Sequence, residues 1–121
     1  MYTFDLAGCR HRPIECQAEV LTLRPGDELS LVRDPNNEYD HNAIQVCSKR
    51  TNAHLGFVPR QTAARLAPEM DNEREEYRCV VRISGDKTPT LAVDVASSPD
   101  WERINKPFIE QLKDSFDEVP F

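Results

Sequence analysis

The residues best suited to bind a ligand stand close together in one polar loop between two predicted strands, at residues 33–44. The loop combines three asparagines with a tyrosine and an aspartate: Asn36, Asn37, Asn42, Tyr39 and Asp40. An asparagine amide both donates and accepts hydrogen bonds, so it suits base edges or sugar hydroxyls. A tyrosine ring can stack on an unpaired base. An ionised aspartate only accepts hydrogen bonds, so it suits a hydroxyl and repels a phosphate.

The same composition is also typical of a plain turn. Asp and Asn favour turns because their side chains hydrogen-bond nearby backbone amides. From composition alone, the ligand-binding and the turn interpretations both stay open. Tyr39 favours binding, because an aromatic ring between Glu38 and Asp40 lacks an obvious packing partner.

The loop does not match a calcium site. Four oxygen-bearing side chains alternate as they do at the start of an EF-hand loop: Asp34, Asn36, Glu38 and Asp40. The glycine required at the sixth position is Tyr39, and the glutamate required at the twelfth is Gln45. Strands are also predicted on both sides where an EF-hand has helices, so we predict no calcium site.

Other metal and catalytic motifs are weak. Cys9 and His11 form the one close pair of zinc ligands, whereas structural zinc sites usually have two such pairs. We find no nucleophile elbow and no phosphate-binding glycine loop. We therefore expect no enzyme, no metal and no cofactor. A metal-dependent nuclease remains the enzymatic alternative, with magnesium held by three loop carboxylates: Asp34, Glu38 and Asp40.

Composition places the chain among small globular domains. Its 121 residues suffice for one domain, and there is no apolar run of about 18 residues that could span a membrane. No secretory signal is evident, and the cysteines are scattered along the chain at Cys9, Cys16, Cys47 and Cys79. We therefore expect a cytoplasmic protein with free thiols and no membrane contact. The net charge of −6 is unusual for a nucleic-acid binder. Residues 1–60 carry seven basic and eight acidic side chains, whereas residues 61–121 carry eight and thirteen, so an anion-binding face should lie in the first half.

The elements that must position the loop are short strands and two helices. Turn-forming residues separate seven strand-like runs: Tyr2–Leu6, Cys16–Leu21, Leu29–Val32, Ala43–Cys47, His54–Val58, Tyr77–Ser84 and Thr90–Ala96. The last two are expected to form a hairpin around Gly85-Asp86. Residues 60–67 are predicted to be helical, with Pro68 ending or kinking the helix. Many short strands with two helices predict a mainly β fold, a small β-barrel with helical plugs.

A second helix is predicted in the tail. Asn105 is a suitable N-cap, and an apolar stripe follows at helical spacing: Phe108, Leu112 and Phe116. We expect this stripe to pack on the barrel. The domain prediction is therefore a barrel over residues 1–97 with one inserted helix, and a helical extension over residues 98–121.

Two blocks of the sequence resemble the HIRAN domain family. LVRDPNNEYDHNAIQV is similar to the family's first block, and LGFVPRQTAARLA is similar to the second block and the helix after it. FDLAGCRHR, at residues 4–12, resembles the family's opening strand. The resemblance covers most of residues 4–67 and implies a small barrel, OB-like or SH3-like, of six or seven strands with two α-helices. Family members occur fused to remodelling ATPases and as free-standing bacterial proteins.

The resemblance also implies a function, the capture of single-stranded DNA at its free 3′-hydroxyl end. By motif position, Tyr39 would stack on the end base, Asp40 would accept from the 3′-hydroxyl, and Asn37 would bond nearby. The DNA-binding set implied by the matching positions is Arg10, His11, Asp34, Asn37, Tyr39, Asp40, Asn42, Phe57 and Arg60. His11 stands where a DNA-binding member has an aromatic residue, and Phe57 where it has a histidine.

We therefore expect a non-catalytic, monomeric module that binds the 3′ end of single-stranded DNA in repair or replication. A DNA-repair or helicase-type protein is its expected partner. The main alternative is a protein–protein interaction domain that keeps the barrel without binding DNA. The acidic second half of the chain and its predicted tail helix motivate that alternative.

Overall fold

The computed structural model describes residues 1–72, 76–84 and 91–103. Its framework is an antiparallel sheet of six strands: β1 (Tyr2–Asp5), β2 (Glu28–Arg33), β3 (Ile44–Ser48), β4 (His54–Phe57), β5 (Tyr77–Ser84) and β6 (Leu91–Ser97). The strands are ordered β1-β6-β5-β2-β3-β4. Two α-helices, α1 (Ile14–Thr22) and α2 (Arg60–Asn72), and a 3₁₀ turn (Cys9–His11) accompany the sheet. The prediction of a mainly β fold with six or seven strands is confirmed.

The sheet curls until its two outermost strands meet. Just beyond β1, Ala7 forms an isolated antiparallel bridge with Phe57 of β4. Each residue donates its backbone N–H to the other's carbonyl oxygen at 2.8 Å. Gly56 allows this close approach, because a Cβ on Gly56 would lie 2.8 Å from the Ala7 carbonyl oxygen. The curled sheet is thereby closed at one point.

The core lies inside the curled sheet and under α2. Alternate residues of the strands bury branched apolar side chains there, among them Leu29, Ile44, Val46, Leu55, Val93 and Val95. Helix α2 contributes Ala63, Leu66 and Ala67, which are fully buried. These positions follow the spacing that predicted the helix, since residues three and four apart share one helix face.

The predicted strand at Cys16–Leu21 is wrong, because this segment forms most of helix α1. Pro13 occupies the N-cap, and the Gln17 side chain donates to the carbonyl of Arg12 at 2.7 Å. The helix buries Val20 and also Glu19, which turns toward the loop after β3. The Glu19 carboxylate accepts from the Ser48 hydroxyl at 3.2 Å, and from Thr22, Arg50 and Thr51. The long-range bonds among these, to Ser48, Arg50 and Thr51, favour the helix over the strand.

Helix α2 runs beyond its predicted end, passing through Pro68 to Asn72. A proline inside a helix removes one backbone hydrogen bond, so the last turn needs other support. Two side-chain contacts supply it. The Tyr2 hydroxyl donates to Glu69 at 2.7 Å, and Arg33 pairs with Asp71 at 3.0 Å.

Strands β5 and β6 pair as the predicted hairpin requires, from Tyr77 opposite Ser97 to Ser84 opposite Leu91. The Gly85-Asp86 turn itself lies outside the described residues, as does the predicted helix starting at Asn105. Residues 98–103 are helical. Within the described part of the chain, no helix is long and apolar enough to cross a membrane.

Candidate nucleic-acid interface

The polar loop between β2 and β3 is held in shape by Asn37. Its side-chain oxygen accepts the backbone N–H groups of Tyr39, at 2.9 Å, and of Asp40, at 3.2 Å. Its amide nitrogen donates to the Asp34 carboxylate at 3.1 Å. Asp34 in turn accepts from Gln45 on β3 at 3.3 Å. The asparagine thus fixes the backbone of the two residues that follow it in the loop.

Asp40 closes the second half of the loop. Its Oδ1 accepts the backbone N–H of Asn42 at 2.9 Å, and its carbonyl oxygen accepts that of Ala43 at 3.1 Å. Its Oδ2 accepts no hydrogen bond from any residue that the structure describes. One carboxylate oxygen therefore shapes the loop, and the other is available to a ligand.

Arg33 supports the loop from behind, and it was not among the residues predicted for the site. Its guanidinium donates to the carbonyl of Ala43 at 2.7 Å and to that of His41 at 3.1 Å. The same group forms a two-pronged ion pair with Asp71 of α2, at 3.0 and 3.2 Å. The hydrogen bond from Arg33 holds the pKa of Asp71 below its ordinary value. The arginine in the first sequence block was the signal for this role.

The loop forms one wall of an open pocket of about 410 Å³, a volume within the range of small-molecule sites. Strand β4 and the start of α2 form the opposite wall. The pocket is lined by Ala7, Asn37, Tyr39, Asp40, Ala43, Phe57, Val58 and Arg60. Five of the nine predicted DNA-binding residues therefore meet at one place. The apolar lining residues Ala7, Ala43 and Val58 were not predicted, since small side chains carry no chemical signal.

Two aromatic rings stand in this pocket. Tyr39 is 84% exposed, so its ring is open to a partner. Phe57 is half-buried and packs edge-to-face against His54, with ring centroids 4.7 Å apart. Burial, followed by the charge of Arg12, lowers the pKa of His54. The His54 ring nitrogen lies 3.0 Å from the Gly56 carbonyl oxygen, which fixes the ring behind Phe57.

Of the described residues that line the pocket, two carry a charged group: Asp40 a carboxylate and Arg60 a guanidinium. Arg60 is exposed and is the first residue of α2. The N-terminus of a helix attracts anions, because its first N–H groups lack intrahelical partners. Arg60 therefore favours a phosphate at its end of the pocket, whereas Asp40 disfavours one.

Comparison with known proteins identifies the family of this chain. Residues 1–113 match the sequence model of the HIRAN domain. The chain belongs to the HIRAN domain family. Rabbit (Oryctolagus cuniculus) helicase-like transcription factor is 33% identical over 87 residues, which is 70% of this chain and 8% of the relative. The chain thus spans less than a tenth of the length of that relative.

Solved structures share the fold of this chain. A protein from Lactobacillus plantarum superposes with a TM-score of 0.72 and 27% identity, covering 80% of this chain and 91% of the other. The HIRAN domain of the helicase-like transcription factor HLTF, in its DNA-bound conformation, gives a TM-score of 0.56 and 27% identity. The match covers 93% of this chain and 85% of the HLTF chain. An OB-like fold was implied by the sequence resemblance, and these likenesses confirm it.

The other four predicted HIRAN site residues lie outside the pocket lining. Arg10 and His11 are exposed on the 3₁₀ turn, shortly after Ala7. Asp34 and Asn42 belong to the loop's own hydrogen-bond network. The structure thus separates residues that line the pocket from residues on the 3₁₀ turn or within the loop's network.

Within the described ranges, no three His, Cys, Asp or Glu side chains converge to hold a metal ion. The alternative of a magnesium nuclease needed Asp34, Glu38 and Asp40 to converge, so no observation on the described residues favours it. The four cysteines are free, and burial raises the pKa of Cys79 to about 12.

Proposed function

We propose that this HIRAN domain binds the 3′ end of single-stranded DNA in the pocket between the polar loop, β4 and α2. The observation that carries the proposal is the convergence of two aromatic rings, one carboxylate and one arginine on a single open pocket. These groups match the parts of a terminal nucleotide, which has a base, a 3′-hydroxyl and a 5′-phosphate.

The hydroxyl is assigned to Asp40. Its Oδ1 is occupied by the Asn42 N–H, so Oδ2 would accept the terminal 3′-hydroxyl. A carboxylate has no proton to donate near pH 7, so it repels a phosphate in the same position. This arrangement would reject both a 3′-phosphate and the middle of a strand, where the 3′ oxygen carries a phosphate.

Base and phosphate are assigned to the rest of the pocket. The end base would stack on Tyr39 or Phe57, a contact worth about 1–3 kcal/mol per base. Arg60 would pair with the phosphate of the last linkage, while Arg10 and His11 on the exposed 3₁₀ turn would contact the next nucleotide. Asp34, Asn37 and Asn42 would hold the loop in its binding shape.

The relatives support this proposal. The HIRAN domain of HLTF has been solved in a DNA-bound conformation, and the described fold matches it. One of the matched relatives is a helicase-like transcription factor. A repair or helicase-type protein would therefore be the partner that this module directs to a DNA end.

The test is fluorescence anisotropy with a labelled oligonucleotide ending in a 3′-hydroxyl or a 3′-phosphate, and with a blunt duplex. We expect selective binding of the single strand with the free 3′-hydroxyl. Asp40→Asn keeps an oxygen for the Asn42 N–H and replaces the other oxygen with a donor. Loss of one hydrogen bond to a charged group is worth about 1.5–3 kcal/mol, so the preference should fall at least about tenfold.

Glu38→Gln is the matched control. It removes the same charge from an exposed neighbouring side chain that does not line the pocket. It should keep the preference of the wild-type protein. If Asp40→Asn discriminates between the two ends as well as Glu38→Gln does, the role given to Asp40 is wrong.

A further inference from the structure

A second set of contacts connects the pocket loop to helix α2 through Arg33. Arg33 is only 18% exposed along its side chain, and its guanidinium reaches four acceptor atoms. Two are the carboxylate oxygens of Asp71. The other two are the carbonyl oxygens of His41 and Ala43, which lie on either side of Asn42.

The two carbonyls belong to residues beside or within the pocket lining. His41 directly follows Asp40, and Ala43 lines the pocket. A guanidinium holds its N–H donors in a rigid planar fork, so simultaneous contacts fix the relative positions of their acceptors. Arg33 therefore fixes the loop backbone on the C-terminal side of Asp40, while Asn37 fixes it on the N-terminal side.

Asp71, the partner of Arg33, lies in a turn of α2 that is itself held in place. Asp71 lies three residues after Pro68, where α2 lacks one backbone hydrogen bond. Glu69 in the same turn accepts from the Tyr2 hydroxyl of β1. The last turn of α2 is thus attached both to β1 and, through Asp71, to the pocket loop.

We propose that Arg33 is a positioning residue for end recognition, which sets the place of the Asp40 carboxylate by tying the loop to the last turn of α2 through Asp71. This inference rests on the proposed function, since it assigns the geometry of the same pocket. Arg33 does not line the pocket, so its effect on a ligand would be transmitted through the loop backbone.

Arg33→Lys provides the first arm of the test. A lysine keeps the charge and the long stem, but one ammonium cannot reproduce the planar fork toward Asp71 and both carbonyls. Amide hydrogen exchange of the unliganded protein should be about tenfold faster at Asp40, Asn42 and Ala43, which corresponds to about 1.4 kcal/mol. Exchange at core amides such as that of Leu55 should stay close to the wild-type rate, which separates a local effect from general destabilisation.

Asp71→Asn provides the second arm. It leaves Arg33 and its two carbonyl contacts in place and removes the charge of its partner, so exchange should be faster at the same amides by a smaller factor. Arg65→Lys, on an exposed position of the same helix, is the matched control and should exchange as the wild type does. If Arg33→Lys leaves the loop amides at the wild-type rate, the inference is overturned.

The DNA readout then links the loop to recognition. In Arg33→Lys, the preference for a 3′-hydroxyl over a 3′-phosphate should fall by about tenfold. The midpoint temperature of thermal unfolding should stay at the wild-type value. Faster loop exchange with an unchanged preference would overturn the positioning role. If the wild-type protein binds no DNA end, the proposed function fails, whereas hydrogen exchange still decides whether Arg33 fixes the loop.

Discussion

Ala7 and Phe57 exchange both backbone hydrogen bonds at 2.8 Å and thereby join the two outermost strands of the sheet. The same two residues line the candidate pocket. The pocket therefore stands on the closing pair of the curled sheet, with Phe57 of β4 and Arg60 of α2 on one side and the polar loop on the other. A rigid strand beneath a polar loop is a common way to present binding residues.

Gly56→Ala should damage this closing pair. The new Cβ would lie 2.8 Å from the Ala7 carbonyl oxygen and 3.1 Å from Cys9 Sγ, so backbone must shift. Overpacking of this kind costs about 1–3 kcal/mol, so the free energy of unfolding in urea should fall by that amount. Affinity for the DNA end should fall as well, because Phe57 moves with its strand.

Gly26→Ala is the comparison for this variant. Gly26 has a φ of 96° and no atom within 4 Å of an added Cβ, so only backbone strain of about 1–2 kcal/mol is expected. It should lower stability and leave DNA affinity at the wild-type value. An equal loss of affinity in both variants would contradict the role of the closing pair.

Tyr39→Ala should separate binding from stability. The side chain is 84% exposed, so its removal should change the free energy of unfolding by less than about 0.5 kcal/mol. Loss of a stacking ring should weaken binding of a single-stranded end by about 1–3 kcal/mol, measured by anisotropy. Tyr39→Phe keeps the ring and should bind as the wild type does. Wild-type affinity in Tyr39→Ala would exclude stacking on this residue.

Glu19 should make stability depend on pH. Hydrogen bonds from Thr51 and Thr22 lower the pKa of this carboxyl from 4.5 to about 2, although burial opposes them. A carboxyl with a depressed pKa in the folded state stabilises the protein above its unfolded pKa and loses that effect as the pH falls. The contribution, about 3 kcal/mol, should therefore disappear between about pH 4.5 and pH 2.

Glu19→Gln tests this expectation by urea denaturation across that pH range. The variant should be less stable than the wild type at pH 7, and the difference should shrink as the pH falls to 2, because other carboxyls titrate alike in both proteins. A difference that is constant from pH 7 to pH 2 would contradict the assignment of the depressed pKa to Glu19.

Local patterns predicted most of the fold. Alternating apolar residues identified the strands, since one face of the sheet is buried. They failed at Cys16–Leu21, where Cys16, Ala18 and Val20 alternate as in a strand but the chain forms α1. The deciding contacts join Glu19 to Ser48 and Thr51 about thirty residues away, and no local window contains them. The end of α2 was missed for the same reason, because Tyr2 and Arg33 support the turn after Pro68.

The candidate site was predicted in part. Motif positions pointed to Asn37, Tyr39, Asp40, Phe57 and Arg60, and the structure brings these five together. The sequence could not predict which loop residues hold the backbone and which face the pocket. An asparagine that bonds backbone amides and one that contacts a ligand have the same side chain. Ala7 was missed because it contributes backbone atoms and a small wall, neither of which leaves a pattern.

Among the residues that the structure describes, one bridging pair closes the curled sheet, and this has a thermodynamic consequence. A fluctuation that parts Ala7 from Phe57 also separates two residues that line the pocket. Ligand that binds the closed form alone suppresses opening by a factor of 1 + [L]/Kd. The Phe57 amide donates its hydrogen bond across this junction. Its rate of hydrogen exchange would then report how much of the pocket is occupied by ligand.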